Sequence, residues 1–185
     1  MRIISGKHRG VKIDFLKSKT TRPLKDSVKE NIFNILSHSK KINIDVNKSK
    51  ILDIYAGIGS FGLECISRGA EEVTFIEHNK EVINILEKNC KKFSILNQVI
   101  LINNNVDDFL NLNSKKKYNI IFFDPPFADK EFVKILKILK NKKNFEKNHI
   151  IIIHRERGSN DYFEDLLNIL LIRSYGRSKI IFGKF

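Results

Sequence analysis

An open, mostly parallel α/β sheet is the fold that this sequence predicts, on three observations. From residue 50 onward, short apolar runs alternate with amphipathic stretches, the pattern of parallel strands joined by right-handed helical crossovers. The first run leads into a glycine-rich loop, Asp53-Ile54-Tyr55-Ala56-Gly57-Ile58-Gly59-Ser60-Phe61-Gly62. The fourth ends in Asp124-Pro125-Pro126-Phe127, so both motifs fall where strands leave the carboxyl edge of a sheet, the edge at which open α/β folds bind ligands.

Strands are predicted at 51–55, 73–77, 99–103, 119–124 and 149–153. Between the first two, residues 62–67 open a helix that the Arg68-Gly69-Ala70 turn closes. Residues 80–92 carry Val82, Ile83, Ile85 and Leu86, followed by Phe93, at helical spacing, and 132–139 repeat the pattern. Residues 162–170 are predicted helical. Runs at 171–174 and 179–182 flank Tyr175-Gly176-Arg177-Ser178, which fits a terminal antiparallel hairpin. Before residue 50, a small hairpin is predicted over 1–15 around Gly6 and Gly10, and an amphipathic helix over 25–36. A chain of 185 residues is expected to form one domain, with 1–45 an N-terminal extension and 46–185 the catalytic core.

Hydrophobic residues at 42% and charged residues at 30% exclude a disordered or collagen-like chain. No apolar run is long enough to span a bilayer, and Ser5-Gly6-Lys7-His8-Arg9-Gly10 interrupts the stretch that a signal peptide would need. A cytoplasmic protein is expected. Cys65 and Cys90 lack metal-ligand spacing and read as reduced thiols, so neither metal nor disulfide is expected. The formal net charge of +13 favours a polyanionic partner. Joint richness in Lys, Asn and Ile is also the bias of an AT-rich genome, so a run such as Lys115-Lys116-Lys117 reads as a solvated loop. The N-terminal segment is more specific: Arg2, Lys7, His8, Arg9, Lys12, Lys17, Lys19, Arg22 and Lys25 stand beside a single acid, Asp14. That density predicts a phosphate-contacting surface, with Arg2, Lys7, Arg9 and Arg22 as its RNA contacts.

The glycine loop reads as GxGxxG with an acid, Glu77, twenty residues past Gly57, a pattern that also fits a dinucleotide loop. Asp53 and Glu64 flank it, and carboxylates suit a cation better than a pyrophosphate. S-adenosylmethionine, with a sulfonium, an ammonium and no phosphate, matches such a rim. Glu77 is placed to accept hydrogen bonds from both ribose hydroxyls. Asn105 would meet the adenine amine and Val106 the ring; an Asn-rich turn is the plainer reading of that stretch, as loop capping is of Asp53. The cofactor set is thus Asp53, Ala56, Gly57, Gly59, Glu77, His78, Asn105 and Val106.

Asp124, Pro125, Pro126 and Phe127 form the expected catalytic site. Two prolines fix the backbone and remove amide donors, leaving the Pro125 carbonyl for a substrate. An exocyclic base amine is a poor nucleophile because its lone pair is delocalised. Two acceptors, the Asp124 carboxylate and the Pro125 carbonyl, would bond both amine hydrogens and favour pyramidalisation toward a methyl donor. Phe127 would stack on a flipped base.

The assembled residues resemble the bacterial RsmD family, which methylates guanine N2 in small-subunit ribosomal RNA. The likeness runs through Arg2-Ile3-Ile4-Ser5-Gly6, Arg9-Gly10, Arg22-Pro23, Val28-Lys29-Glu30, Phe33-Asn34-Ile35-Leu36, Leu52 to Gly57, Gly62-Leu63-Glu64, Ser67 to Ala70 and Asp124 to Phe127. It implies a Rossmann-like class I methyltransferase with a seven-stranded sheet. S-adenosylmethionine would be held by Gly57, Gly59, Glu77 and Asn105, with Asp124 to Phe127 at the base. Guanine 966 of 16S ribosomal RNA, met by a monomer in an assembly intermediate, is the implied target. Two departures stand out: Leu24 where threonine is common after Arg-Pro, and Tyr55 for a frequent phenylalanine. The same acceptor pair would serve a DNA adenine-N6 or cytosine-N4 enzyme, although 185 residues leave little room for a target-recognition region. A glutamine methyltransferase would be expected to carry Asn-Pro-Pro-Tyr. A nicotinamide oxidoreductase fits the glycine loop alone, and an inactive RNA-binding factor would not need Asp124 to Phe127.

Overall fold

Residues 1–15, 24–106, 115–163 and 165–185 are described by the structure, a computed structural model. In chain order they form α1 (Asp26–His38), β1 (Lys50–Ile54), α2 (Ser60–Ser67), β2 (Glu72–Ile76), α3 (Lys80–Lys92), β3 (Val99–Ile102) and β4 (Tyr118–Phe123). There follow α4 (Phe132–Lys142), β5 (Phe145–Glu156), β6 (Asn168–Tyr175) and β7 (Ser178–Lys184). The strands make one seven-stranded sheet in the order β3-β2-β1-β4-β5-β7-β6. The first five pair in parallel, while β7 runs antiparallel to both β5 and β6. This is the Rossmann-like class I methyltransferase sheet, flanked by helices.

Strand residues alternate between two apolar layers. Ile51, Phe75, Ile120, Phe122, Ile150, Ile152 and Phe182 share one core with α1, α2 and α3. Leu52, Ile54, Ile121, Phe123, Ile151, Ile153 and Ile181 share the other with α4. Burial on both faces is why the central strands read as unbroken apolar runs. The Asn79 side chain caps α3 by accepting from the Glu81 and Val82 amides, which explains the abrupt start of that helix after β2. Among the described residues, no helix is long and apolar enough to cross a membrane.

One expectation needs correction. Residues 162–170 are not one helix: the Leu166 and Leu167 amides both bond to Phe163 O in a single turn, and β6 starts at Asn168. The apolar run there suits either structure locally, and β7 supplies an antiparallel ladder, with a register shift between Ile169 and Leu171, that pairs one side of its backbone. The expected N-terminal hairpin is present as one antiparallel bridge, Arg2 with Lys12, flanked by Ile3 N to Val11 O at 3.0 Å and Ile13 N to Met1 O at 3.2 Å. The Ile4, Ser5, Lys7 and His8 amides bond to α2, and the Asp14 amide bonds to Asn89 of α3. Ile3, Ile13, Val28, Ile32 and Phe33 lie in the same core as the sheet, and Phe33 stacks on Phe61, which stacks on Phe122 at 4.1 Å between ring centres.

Candidate active site

β1 is hydrogen-bonded to both β2 and β4, and its crossover goes one way along the sheet while the β4 crossover goes the other. Their carboxyl ends therefore part and leave a crevice. A cavity of about 430 Å³ lies there, walled in part by Asp53, Ala56, Gly57, Glu77, His78, Asp124, Pro125, Pro126 and Phe127. Leu24, the departure after Arg-Pro, is buried and forms apolar wall together with Phe15.

The glycine loop begins with Tyr55 in the left-handed region (φ 63°) and turns at Gly57 (φ 56°). A Cβ on Gly57 would meet nothing within 4 Å, so its conformation and not crowding selects glycine. Its amide donates to Glu77 Oε2 at 2.9 Å, and the Asn79 amide donates to Glu77 Oε1 at 2.8 Å. Glu77 is thus fixed by two backbone donors, and each oxygen keeps lone-pair capacity for a ligand. Asp53 is almost fully buried, and its Oδ2 accepts from the Gly62 amide at 3.0 Å. Burial pushes its carboxyl well up, the Gly62 amide pulls it down, and Asp124 and Glu77 push it up further. Three carboxylates and, among the described lining residues, no lysine or arginine make this cavity electronegative.

Gly59 does not line the cavity. A Cβ there would fall 2.4 Å from Leu86 Cδ1, so this glycine serves the packing of the loop against α3. Glu64 also leaves the expected rim. Fully buried on the far side of α2, it accepts from the Ile4 amide at 2.7 Å, the Ser5 amide at 2.9 Å and Arg68 Nε at 2.8 Å, and lies 3.5 Å from Lys29 Nζ. Desolvation lowers the Lys29 pKa although Glu64 and Asp26 oppose this. Asn105 is exposed, and Val106 packs into the second core; neither lines the cavity. Asn103 instead ties the ends of β3 and β2 together by donating to the Glu77 and His78 carbonyls, both at 3.0 Å. Arg2, Lys7 and Arg9 are exposed, on a backbone pinned by Lys7 N to Ser67 O at 2.8 Å and Lys29 Nζ to Arg2 O at 2.7 Å. Arg22, Lys17 and Lys19 lie outside the described residues.

A family profile described as Conserved hypothetical protein 95 matches residues 1–184. A ribosomal RNA small subunit methyltransferase D of Buchnera aphidicola subsp. Acyrthosiphon pisum is 37% identical over 84% of this chain and 78% of its own. The namesake of Buchnera aphidicola subsp. Baizongia pistaciae is 31% identical over 100% of this chain and 91% of its own. This chain belongs to the RsmD family. Among solved structures, a putative methyltransferase from Escherichia coli, yhhF, superposes with a TM-score of 0.84 at 26% identity, covering 99% of this chain and 96% of that one.

In this RsmD-family chain two further residues complete the site, His154 in the cavity wall and Arg155 behind it, and sequence reasoning missed both. His154 Nδ1 lies 2.7 Å from Asp124 Oδ1, and its Nε2 lies 2.9 Å from Ser178 Oγ. Arg155, 1% exposed, donates to the Pro126 and Phe127 carbonyls, both at 3.0 Å, and forms a bidentate pair with Asp161 at 2.8 and 2.9 Å. The signal was present as a polar His-Arg pair at the carboxyl end of a buried four-isoleucine run. Among the described residues no donor reaches the Pro125 carbonyl or Asp124 Oδ2, whereas the next two carbonyls are both taken. Two acceptors thus remain for a ligand at the tip of β4.

Proposed function

We propose that this chain is an S-adenosylmethionine-dependent methyltransferase acting on the exocyclic N2 of a guanine in small-subunit ribosomal RNA. The observation that carries the reading is the pair of unengaged acceptors, Asp124 Oδ2 and the Pro125 carbonyl, in one cavity with Asp53 and Glu77. The electronegative lining fits a cationic cofactor and opposes a pyrophosphate. When bound, S-adenosylmethionine supplies an electrophilic methyl group. Glu77, already oriented by Gly57 and Asn79, would take the ribose hydroxyls, and the cofactor's cationic end would favour the ionised form of the Asp53 carboxyl against its burial. Asp124 Oδ2 and the Pro125 carbonyl accept the two amine hydrogens, which returns the nitrogen lone pair to the reacting face. Methyl transfer to the nitrogen, with the carbon–sulfur bond breaking and its electron pair leaving on sulfur, would release one amine proton, for which the Asp124 carboxylate is the base in reach. Phe127 stacks on the base.

The names of the curated relatives support ribosomal RNA as substrate; guanine 966 of 16S ribosomal RNA, met in an assembly intermediate, is the target of this proposal. In this single-domain reading a monomer suffices, with residues 1–45 contacting RNA and 46–185 carrying the chemistry. Purified chain, S-adenosylmethionine and small-subunit RNA from a strain lacking the chain are expected to yield N2-methylguanine on mass mapping. Methylation of adenine N6 or cytosine N4 instead would transfer the same site to the alternative amine. Calorimetry is expected to detect S-adenosylmethionine binding and no comparable NAD binding; the reverse result would sink the reading.

Because the segment bearing Arg2, Lys7 and Arg9 is pinned to α2 with those side chains exposed, neutralising all three is expected to weaken RNA binding without unfolding the chain. Its salt slope should fall by about 0.7–0.9 per lost phosphate contact, with cofactor affinity unchanged. An unaltered slope would move the RNA grip elsewhere.

A further inference from the structure

β4 and β5 run side by side, with Phe123 opposite Ile153, so the next residue of each, Asp124 and His154, emerges at the same sheet edge. His154 is 5% exposed, and both of its ring nitrogens are engaged. A carboxylate only accepts, so Nδ1 carries a hydrogen and donates it to Asp124 Oδ1. In the neutral ring Nε2 then accepts, and the Ser178 hydroxyl donates to it. Ser178 is itself buried on β7, where it faces Glu156 of β5 in the ladder, so the antiparallel end of the sheet reaches the site through this hydroxyl. The edge of the Phe127 ring closes the other side of the imidazole at 5.8 Å between centres.

On the methyl-transfer reading above, we infer that His154 is a positioning residue for Asp124: it holds Oδ1 so that Oδ2 alone faces the substrate amine, and Ser178 anchors the ring at its other nitrogen. A carboxylate at a strand end rotates readily and exchanges its two oxygens. Tied at Oδ1, it has one orientation, and its plane is set before substrate arrives. Because the Pro125 carbonyl is fixed by the backbone, the two acceptors keep a constant spacing only while the carboxylate is held. A histidine that merely filled space would affect folding stability and leave turnover alone.

Three variants of the full chain separate these roles. His154→Phe fills the volume without a donor and is expected to lower kcat by about tenfold or more, with RNA KM and cofactor Kd within about twofold. His154→Asn, whose amide nitrogen branches at the same position as Nδ1, is expected to restore most of the lost kcat. Ser178→Ala, which leaves the ring unanchored at Nε2, is expected to lower kcat by roughly fivefold, the worth of one ordinary hydrogen bond. A His154→Phe protein with wild-type kcat, or an asparagine variant no better than phenylalanine, overturns the positioning role. Should His154→Phe fail to fold by circular dichroism, unchanged kcat in Ser178→Ala overturns it. If the wild-type chain itself transfers no methyl to RNA, the methyl-transfer reading falls, and the role of His154 falls with it.

Discussion

Asp124→Ala is expected to cut methyl transfer by about 10²-fold or more while leaving S-adenosylmethionine affinity within about twofold. The carboxylate supplies one of the two acceptors at the tip of β4, and no other described side chain stands ready to replace it. Glu77 is held by the Gly57 and Asn79 amides independently of Asp124, so the cofactor contacts survive. Phe127 also survives, so RNA affinity should change little. Asp124→Asn is not expected to rescue. With the amide oxygen toward His154 Nδ1–H, its NH₂ faces the substrate amine, donor against donor; flipped, the same clash falls on His154. Single-turnover rates with saturating cofactor measure the chemical step directly. Near-normal turnover in either variant would make Asp124 structural and the proposed chemistry wrong.

Arg155→Met is expected to cost about 3–5 kcal/mol of folding stability, because it leaves the Asp161 carboxylate, 5% exposed, without its bidentate partner. The same change removes both donors that hold the Pro126 and Phe127 carbonyls, so the loop carrying Asp124 and Pro125 loosens and kcat should fall by about 10²-fold. Burial pushes the Asp161 carboxyl up, but hydrogen bonds from Arg155 and the charges of Arg155 and Lys179 hold it below its ordinary value. The sign follows: this part of the wild-type stability is present above the ordinary carboxylate pKa and is lost as pH falls through the depressed one. Denaturant unfolding at neutral and acid pH checks both statements. Pairing the change with Asp161→Asn is expected to recover part of the stability and little of the turnover. Full recovery of turnover would show that the carbonyl contacts do not matter.

The positions of the parallel strands were legible along the chain because burial on both sheet faces demands unbroken apolar runs, and such runs as Ile120 to Phe123 have few other uses. The glycine loop, Glu77 and Asp124 to Phe127 were legible for a related reason: each follows directly on a strand, so chain order alone puts them on one edge. The contacts of Glu64 were not. It lies two residues past the last loop glycine, yet a helix turns about 100° per residue, and α2 carries it to the face where the N-terminal segment docks. Nor were His154 and Arg155, thirty residues beyond the tetrapeptide they hold, because only the pairing of β5 with β4 makes them neighbours.

The sequence by itself determined the parallel core, the loop that turns beneath a ligand and the acceptor-bearing tip of β4, since these depend on periodicity, backbone restriction and chain order. Tertiary structure alone decided three other things: that 168–170 belong to a strand and not to a helix, that the basic N-terminus is pinned to α2 by its backbone, and that Asp124 is held by a histidine. In each the deciding partner is remote in sequence. An apolar run, a free backbone amide or a carboxylate can be satisfied in several ways locally, and only the packed chain selects one.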